Sequence, residues 1–154
     1  MKVSKLFGKS LRENPSDVEL VSHGLMLRSA MICQASSGVY TYMPLAWRSI
    51  RKIEQIIREE INAVGGQELR LPALQPREIW QQSGRYDTMG EDMFRLDDRR
   101  QRHFVLAPTH EEILTNVVGA NVHSYRDLPL ILYQIQKYLL LMQQNQIMEL
   151  FVGG

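Results

Sequence analysis

The stretch from Pro44 to Pro72 constrains the fold of this chain more than any other. Leu45, Ile50, Ile53, Ile57, Ile61 and Val64 recur at steps of three to five, while Arg51, Glu54, Arg58 and Glu59 occupy the opposite face. That spacing predicts one long amphipathic helix. Pro44 suits its first turn, where a missing N–H costs nothing. Gly65-Gly66 suits its end, because glycine tolerates the left-handed C-terminal conformation. The run Gln67 to Leu71 then alternates with period two and stops at Pro72, which reads as a strand. A helix, a glycine pair, a strand and a proline in this order need a further layer to cover the apolar stripe. That layer is either the rest of this domain or a second copy of the chain.

The remaining pattern supplies helices and short strands around it. Ser16 and Glu19 have capping-box spacing, and Val18, Val21, Leu25 and Met31 extend an apolar face, so a first helix is expected from about Ser16 to Ala35. Val39 to Met43 alternates and reads as a strand. Pro76 to Gln82 reads as a short helix closed by Ser83-Gly84, and Tyr86 to Asp92 as a loop. Met93–Leu96 and Arg102–Leu106 read as two strands joined by the charged turn Asp97 to Arg100. Thr109 to about Ala120 is expected to be helical, Ser124 to Pro129 a connection, and Leu130 to Gln136 a strand. The fold class is therefore α+β.

Composition narrows the function. The chain has 154 residues, 44% of them hydrophobic and 23% charged, with a net charge of +1. That is ordinary globular composition, and no apolar run is long enough for a membrane span. The near-neutral charge argues against a strongly basic nucleic-acid-binding domain. A single cysteine, Cys33, excludes an internal disulfide framework and a thiolate-rich zinc site. His23, His103, His110 and His123 lack paired ligand spacing, so no metal site is expected. Residues Met1 to Glu13 have no apolar core of the kind a secretory signal needs. No glycine-rich phosphate loop is present, since Gly65-Gly66 and Gly153-Gly154 lack the following lysine and helix. Arg95, Arg99, Arg100 and Arg102 are read as a solvated hairpin turn beside Asp97 and Asp98.

Several words along the chain carry a resemblance. The Pro44–Pro72 unit resembles motif 1 of the class II aminoacyl-tRNA synthetases. Leu25-Met26-Leu27-Arg28-Ser29-Ala30, Ala35 to Thr41, Trp80-Gln81-Gln82-Ser83-Gly84-Arg85 and Phe104 to Glu112 look like bacterial-type prolyl-tRNA synthetase. So do Ser124 to Leu130 and the strand Tyr133-Gln134-Ile135-Gln136. The resemblance is collinear over about residues 1–136. It implies the N-terminal part of a class II catalytic domain, an antiparallel sheet flanked by helices. It also implies a cytoplasmic ligase that joins proline to tRNA(Pro) with ATP and Mg²⁺, and a homodimer. The dimer interface would include Ile50, Ile53, Ile57, Leu69 and Pro72. Threonyl- or seryl-type relatives fit the words at 80–85 and 104–112 less well. A non-catalytic dimerising fragment or interaction module is the alternative from another class.

The segment Pro108-Thr109-His110-Glu111-Glu112 matters most for chemistry. Thr109 and Glu112 are three apart, so the plain expectation is a capping box opening a helix. That leaves Glu111 free. In the family this loop binds the amino acid, and the resemblance carries the imino-group contacts onto Thr109 and Glu111. The physics agrees, because prolinium offers two N–H donors and a positive charge, and a carboxylate with a second acceptor suits it. His110 is read as a packing or loop-shaping residue, and Glu112 as structural. No residue of the chain is assigned a catalytic role.

The last stretch departs from the family pattern. From Ile131 to Gly154 only Lys137 and Glu149 are charged, and no arginine follows Arg126. The family places an ATP-binding arginine just after the Tyr-Gln-Ile-Gln strand, whereas Lys137-Tyr138-Leu139 stands here. The sequence also carries no motif 3, no second ATP-binding arginine, no editing insertion and no anticodon-binding domain. Two parts are therefore expected. Residues 1–136 form the synthetase-like portion, and residues 137–154 an atypical apolar tail from a shifted reading frame or alternative end. The tail is read as helical. The isolated chain is expected to lack full ligase activity, with no ATP or Mg²⁺ held by its own residues.

Overall fold

The structure is a computed structural model that describes residues 5–13, 18, 20–36, 38–142 and 146–153, by backbone alone from residue 137. Two compact units divide it, Met1–Glu60 and Ile61–Gly154.

In the first unit, helix α1 (Val21–Arg28) leads into a hairpin of β1 (Ile32–Ser36) and β2 (Val39–Tyr42), paired antiparallel from Ile32–Tyr42 inward. The helix is much shorter than expected. Ala30 takes a left-handed φ of 53°, which ends helical geometry, and Ile32 to Ala35 join the hairpin instead. The Ser16–Glu19 capping box lies outside the described residues. Helix α2 (Pro44–Ala63) starts at the proline, as its spacing predicts. Ala46 is its only buried residue; Ile53 is 57% and Ile56 60% exposed.

The end of α2 is set by local hydrogen bonds. Gly66 N–H donates to the Ile61 carbonyl at 3.0 Å and Gly65 N–H to Asn62 at 3.0 Å, with Gly65 at φ +87°. This is a Schellman motif, in which the left-handed residue lets two orphan carbonyls be satisfied. A Cβ on Gly66 would collide with the Ile61 side chain and sit 2.8 Å from its carbonyl oxygen.

The second unit is built around one small core. Strand β3 (Gln67–Glu68) runs parallel to β7 (Leu132–Tyr133). Only two residues of the expected 67–71 strand are paired, because β7 is itself two residues long. Strands β4 (Leu74–Pro76), β6 (His103–Leu106) and β5 (Phe94–Asp97) form an antiparallel sheet in the order β4-β6-β5. Helix α3 (Arg77–Gln82) covers it with Trp80, which packs with Met93, Val105 and Ala107. Trp80 is fully buried, and its Nε1–H donates to Gln75 Oε1 at 2.9 Å, so the indole meets the buried amide that can satisfy it. The segment expected as a loop folds as helix α4 (Arg85–Thr88) and a 3-10 turn at Gly90–Asp92. Tyr86 and Met89 from it lean on the core, which explains why it is ordered.

Helix α5 (Glu111–Asn121) follows β6, and a 3-10 turn at Tyr125–Asp127 is closed by a Ser124–Asp127 capping box. The expected Leu130–Gln136 strand is split: β7 ends at Tyr133 and β8 begins at Ile135. The tail is not helical. Strands β8 (Ile135–Met142) and β9 (Gln146–Gly153) pair antiparallel from Ile135–Gly153 to Met142–Gln146. An unbroken apolar run carries no periodicity that separates helix from strand, and the Tyr, Ile, Phe and Val in it favour strands.

Candidate functional site

The connection from β6 to α5 carries the candidate residues. Ala107 N–H donates to the Ala73 carbonyl at 2.8 Å, which pins the chain to the β4 side before it turns. Helix α5 then starts at Glu111, with His110 at its N-cap and no side chain capping it. The capping box expected from Thr109 and Glu112 does not form. Glu112 turns inward instead: its side chain is 4% exposed, and its Oε1 accepts from Arg85 Nη1 at 2.8 Å, with Ser83 Oγ at 3.3 Å. A buried carboxylate gains more from a guanidinium than from one backbone N–H. Glu112 is thus structural, as expected, but through a different partner.

Glu111 points the other way. Its side chain is 69% exposed and lies 3.7 Å from Arg85 Nη1. Partial burial pushes its carboxyl up, but the Thr109 hydroxyl, its own N–H and the charge of Arg85 outweigh this and hold it below its ordinary value. Arg85 Nη1 also lies 3.5 Å from Thr109 Oγ1. The Thr109 hydroxyl can thus accept from Arg85 while donating to Glu111. Two acidic residues in the first turn of α5 also suit the positive end of the helix. A pocket of about 190 Å³ opens beside Glu111, lined by Leu69, Leu71, His110, Leu114 and Tyr133 among others.

His110 is 2% exposed. Burial pushes its imidazole below the ordinary value, against the opposing pull of the Pro72 carbonyl and the Glu111 charge. A neutral imidazole tied to Pro72 is a loop-shaping group, as the sequence suggests.

Thr109 and Glu111 are therefore paired by a hydrogen bond, and Glu111 lines the pocket with a charge to offer. Arg85, which links Thr109, Glu111 and Glu112, was not singled out by sequence reasoning. Its signal was present: a glutamate bound for a core needs a cation, and Arg85 ends one of the family-like words. The arginine turn is internally engaged in part. Arg95 donates to the Tyr86 carbonyl at 2.7 Å and lies over its ring, and Arg102 Nε meets Asp98 Oδ2 at 2.6 Å. The Arg102 N–H leads the interactions that hold the Asp98 carboxyl below its ordinary value. Of the proposed interface residues, Ile53 and Pro72 are exposed and Ile50, Ile57 and Leu69 half-buried.

No protein-family model matches the chain. A proline–tRNA ligase of Dehalococcoides mccartyi strain CBDB1 is 60% identical over 136 residues, which are 88% of this chain and 24% of that protein. One of Pelotomaculum thermopropionicum is 58% identical over the same share of each chain. The chain thus spans about a quarter of the length of the curated relatives it matches. Among solved structures, the Giardia lamblia prolyl-tRNA synthetase in complex with prolyl-adenylate is similar with a TM-score of 0.74 at 18% identity. The match covers 84% of this chain and 28% of that one. A Cryptosporidium parvum threonyl-tRNA synthetase structure gives a TM-score of 0.67 at 23% identity, over 72% of this chain and 28% of that one. At such identities the likeness is one of fold, and the fold is the α+β arrangement of class II synthetase domains.

Proposed function

We propose that the chain, by its relatives a member of the bacterial-type prolyl-tRNA synthetase family, supplies the amino-acid-binding loop of a proline–tRNA ligase. The observation that carries this is the pairing of Thr109 with an ionised Glu111 beside a pocket. The ring nitrogen of proline, protonated at neutral pH, offers two N–H donors. Glu111 takes one together with the charge, and Thr109 Oγ1 takes the other. The apolar pocket wall from Leu69, Leu71 and Leu114 is a fitting surface for a hydrocarbon ring.

The whole reaction, activation of proline by ATP and its transfer to tRNA, needs cations at the phosphates. Among the described residues no group of three His, Cys, Asp or Glu side chains comes together to hold a metal, and no arginine follows Arg126. The family resemblance places an ATP-binding arginine just after the Tyr-Gln-Ile-Gln strand, where Lys137 stands in this sequence. A polypeptide of these 154 residues is therefore expected to bind proline without supporting proline-dependent ATP–pyrophosphate exchange. Among the described residues no helix is long and apolar enough to cross a membrane; the cytoplasmic setting is proposed on the family resemblance alone.

Self-association belongs to the same reading. The α2 face with exposed Ile53 and half-buried Ile50 and Ile57 is apolar and can be closed by two-fold symmetry; Leu69 and Pro72 are proposed for the interface on the family pattern. The competing reading, a dimerising module without ligand, is favoured by the same face.

Calorimetric titration with L-proline, L-threonine and glycine separates these. Binding of proline in preference to the other two supports the ligase lineage. Preference for threonine, or dimerisation with no amino-acid binding, refutes the proline reading.

A further inference from the structure

One guanidinium nitrogen faces all three polar groups of the loop. Arg85 Nη1 lies 2.8 Å from Glu112 Oε1, 3.5 Å from Thr109 Oγ1 and 3.7 Å from Glu111 Oε2. The guanidinium is itself held over the Trp80 ring, 5.4 Å from its centroid, and Trp80 is fully buried and hydrogen-bonded to Gln75. The arginine is thus mounted on the core rather than on the loop it touches. Resting on the proline-binding reading above, we propose that Arg85 is a positioning residue for that loop: paired with Glu112, it braces Thr109 and leaves the Glu111 carboxylate open to the substrate cation.

Charge counting gives the physical reason. Arg85, Glu111 and Glu112 together carry a net −1, which matches one protonated ring nitrogen. Glu112 is nearly desolvated and Glu111 is mostly in water, so the stronger pairing falls to Glu112. Glu112 thereby acts as a decoy: it occupies the arginine that would otherwise close on Glu111. Neutralising Glu112 releases Arg85 toward Glu111, takes the local charge to zero, and removes the anion that a cationic substrate needs. A purely structural pair predicts no such transfer.

The test is made on the intact 154-residue chain with L-proline as the probe, by calorimetry and by ¹³C titration of the Glu111 carboxyl. Glu112→Gln keeps an acceptor for Ser83 and Arg85, and near-UV circular dichroism checks that the fold is retained. The expected result is proline binding weaker by about tenfold, with the Glu111 titration moved to lower pH. In Arg85→Met with Glu112→Gln, which removes both charges of the pair, Glu111 is expected to titrate higher than in the unsubstituted chain. Arg85→Lys, which keeps the charge without the planar fork, is expected to hold part of the affinity. Proline affinity within twofold in Glu112→Gln, or an unmoved Glu111 titration in either of the first two variants, overturns the proposal. If the unsubstituted chain binds no proline, the ligase reading falls, and the opposite Glu111 shifts in the two variants still decide whether Arg85 is shared in this way.

Discussion

Glu111→Gln is the substitution that most directly tests the proposed site. The amide oxygen of glutamine can still accept from the Thr109 hydroxyl, so loop geometry is preserved and the charge alone is lost. A hydrogen bond to a charged group contributes about 1.5–3 kcal/mol where a neutral one contributes roughly half that. The Glu111 side chain is 69% exposed, and solvent screening discounts the difference. The expected loss is therefore about 1–2 kcal/mol, or roughly five- to thirtyfold in the dissociation constant for proline. Calorimetric titration at pH 7 and low salt measures it. The pH profile is a second readout. Because the Glu111 carboxyl is held below its ordinary 4.5, it stays ionised as pH falls to that value, and proline binding weakens only on further acidification. The glutamine variant has no such inflection. Proline affinity within twofold of the unsubstituted chain, with an unchanged pH profile, would refute the assignment of Glu111.

Gly66→Ala is expected to destabilise the chain by about 1–3 kcal/mol, since the added Cβ meets Ile61 and the close of α2 must shift; urea denaturation reads this directly. Trp80→Phe leaves buried Gln75 Oε1 without its donor and is expected to cost about 1–3 kcal/mol by the same assay. The His110 imidazole has its folded-state affinity for protons lowered by burial, so the unfolded chain binds the proton first. Stability is full above the ordinary value of 6.5 and is lost as pH falls below it; His110→Gln is expected to flatten that part of the melting profile. Ile53→Asp places a charge on the exposed α2 face and is expected to shift sedimentation toward monomer without changing proline affinity.

What could be read in advance was what is decided locally. Helix α2 and its Gly65-Gly66 close depend on residues within a few positions of one another, and the 3.6-residue period with a glycine pair carries all that is needed. The β5–β6 hairpin is local too, with Asp98 organising its own turn. Features decided by distant partners were not legible. The Thr109–Glu112 spacing satisfies a capping-box pattern, yet the carboxylate goes to Arg85, 27 positions earlier. Helix α4 is ordered by Tyr86 and Met89 resting on the core, which no local signal announces. The apolar run after Tyr138 had no period to read, so its strand pairing was settled by β9. Thr109 and Glu111 were named from a family pattern, and the residue that ties them to the core was not.

The pairing of β3 with β7 has a kinetic consequence. The Tyr133 hydroxyl meets Asn62 across 71 positions of sequence. Most of the second unit before β8, including the Thr109–Glu112 loop, lies inside the segment that this contact closes. Closing so long a segment is entropically slow and is repaid only once both strands meet. The local hairpin and helices are therefore expected to form first, and the loop to acquire its final frame only when β7 docks. A chain emerging from the ribosome would hold α2 and the Trp80 core well before it holds a finished binding site.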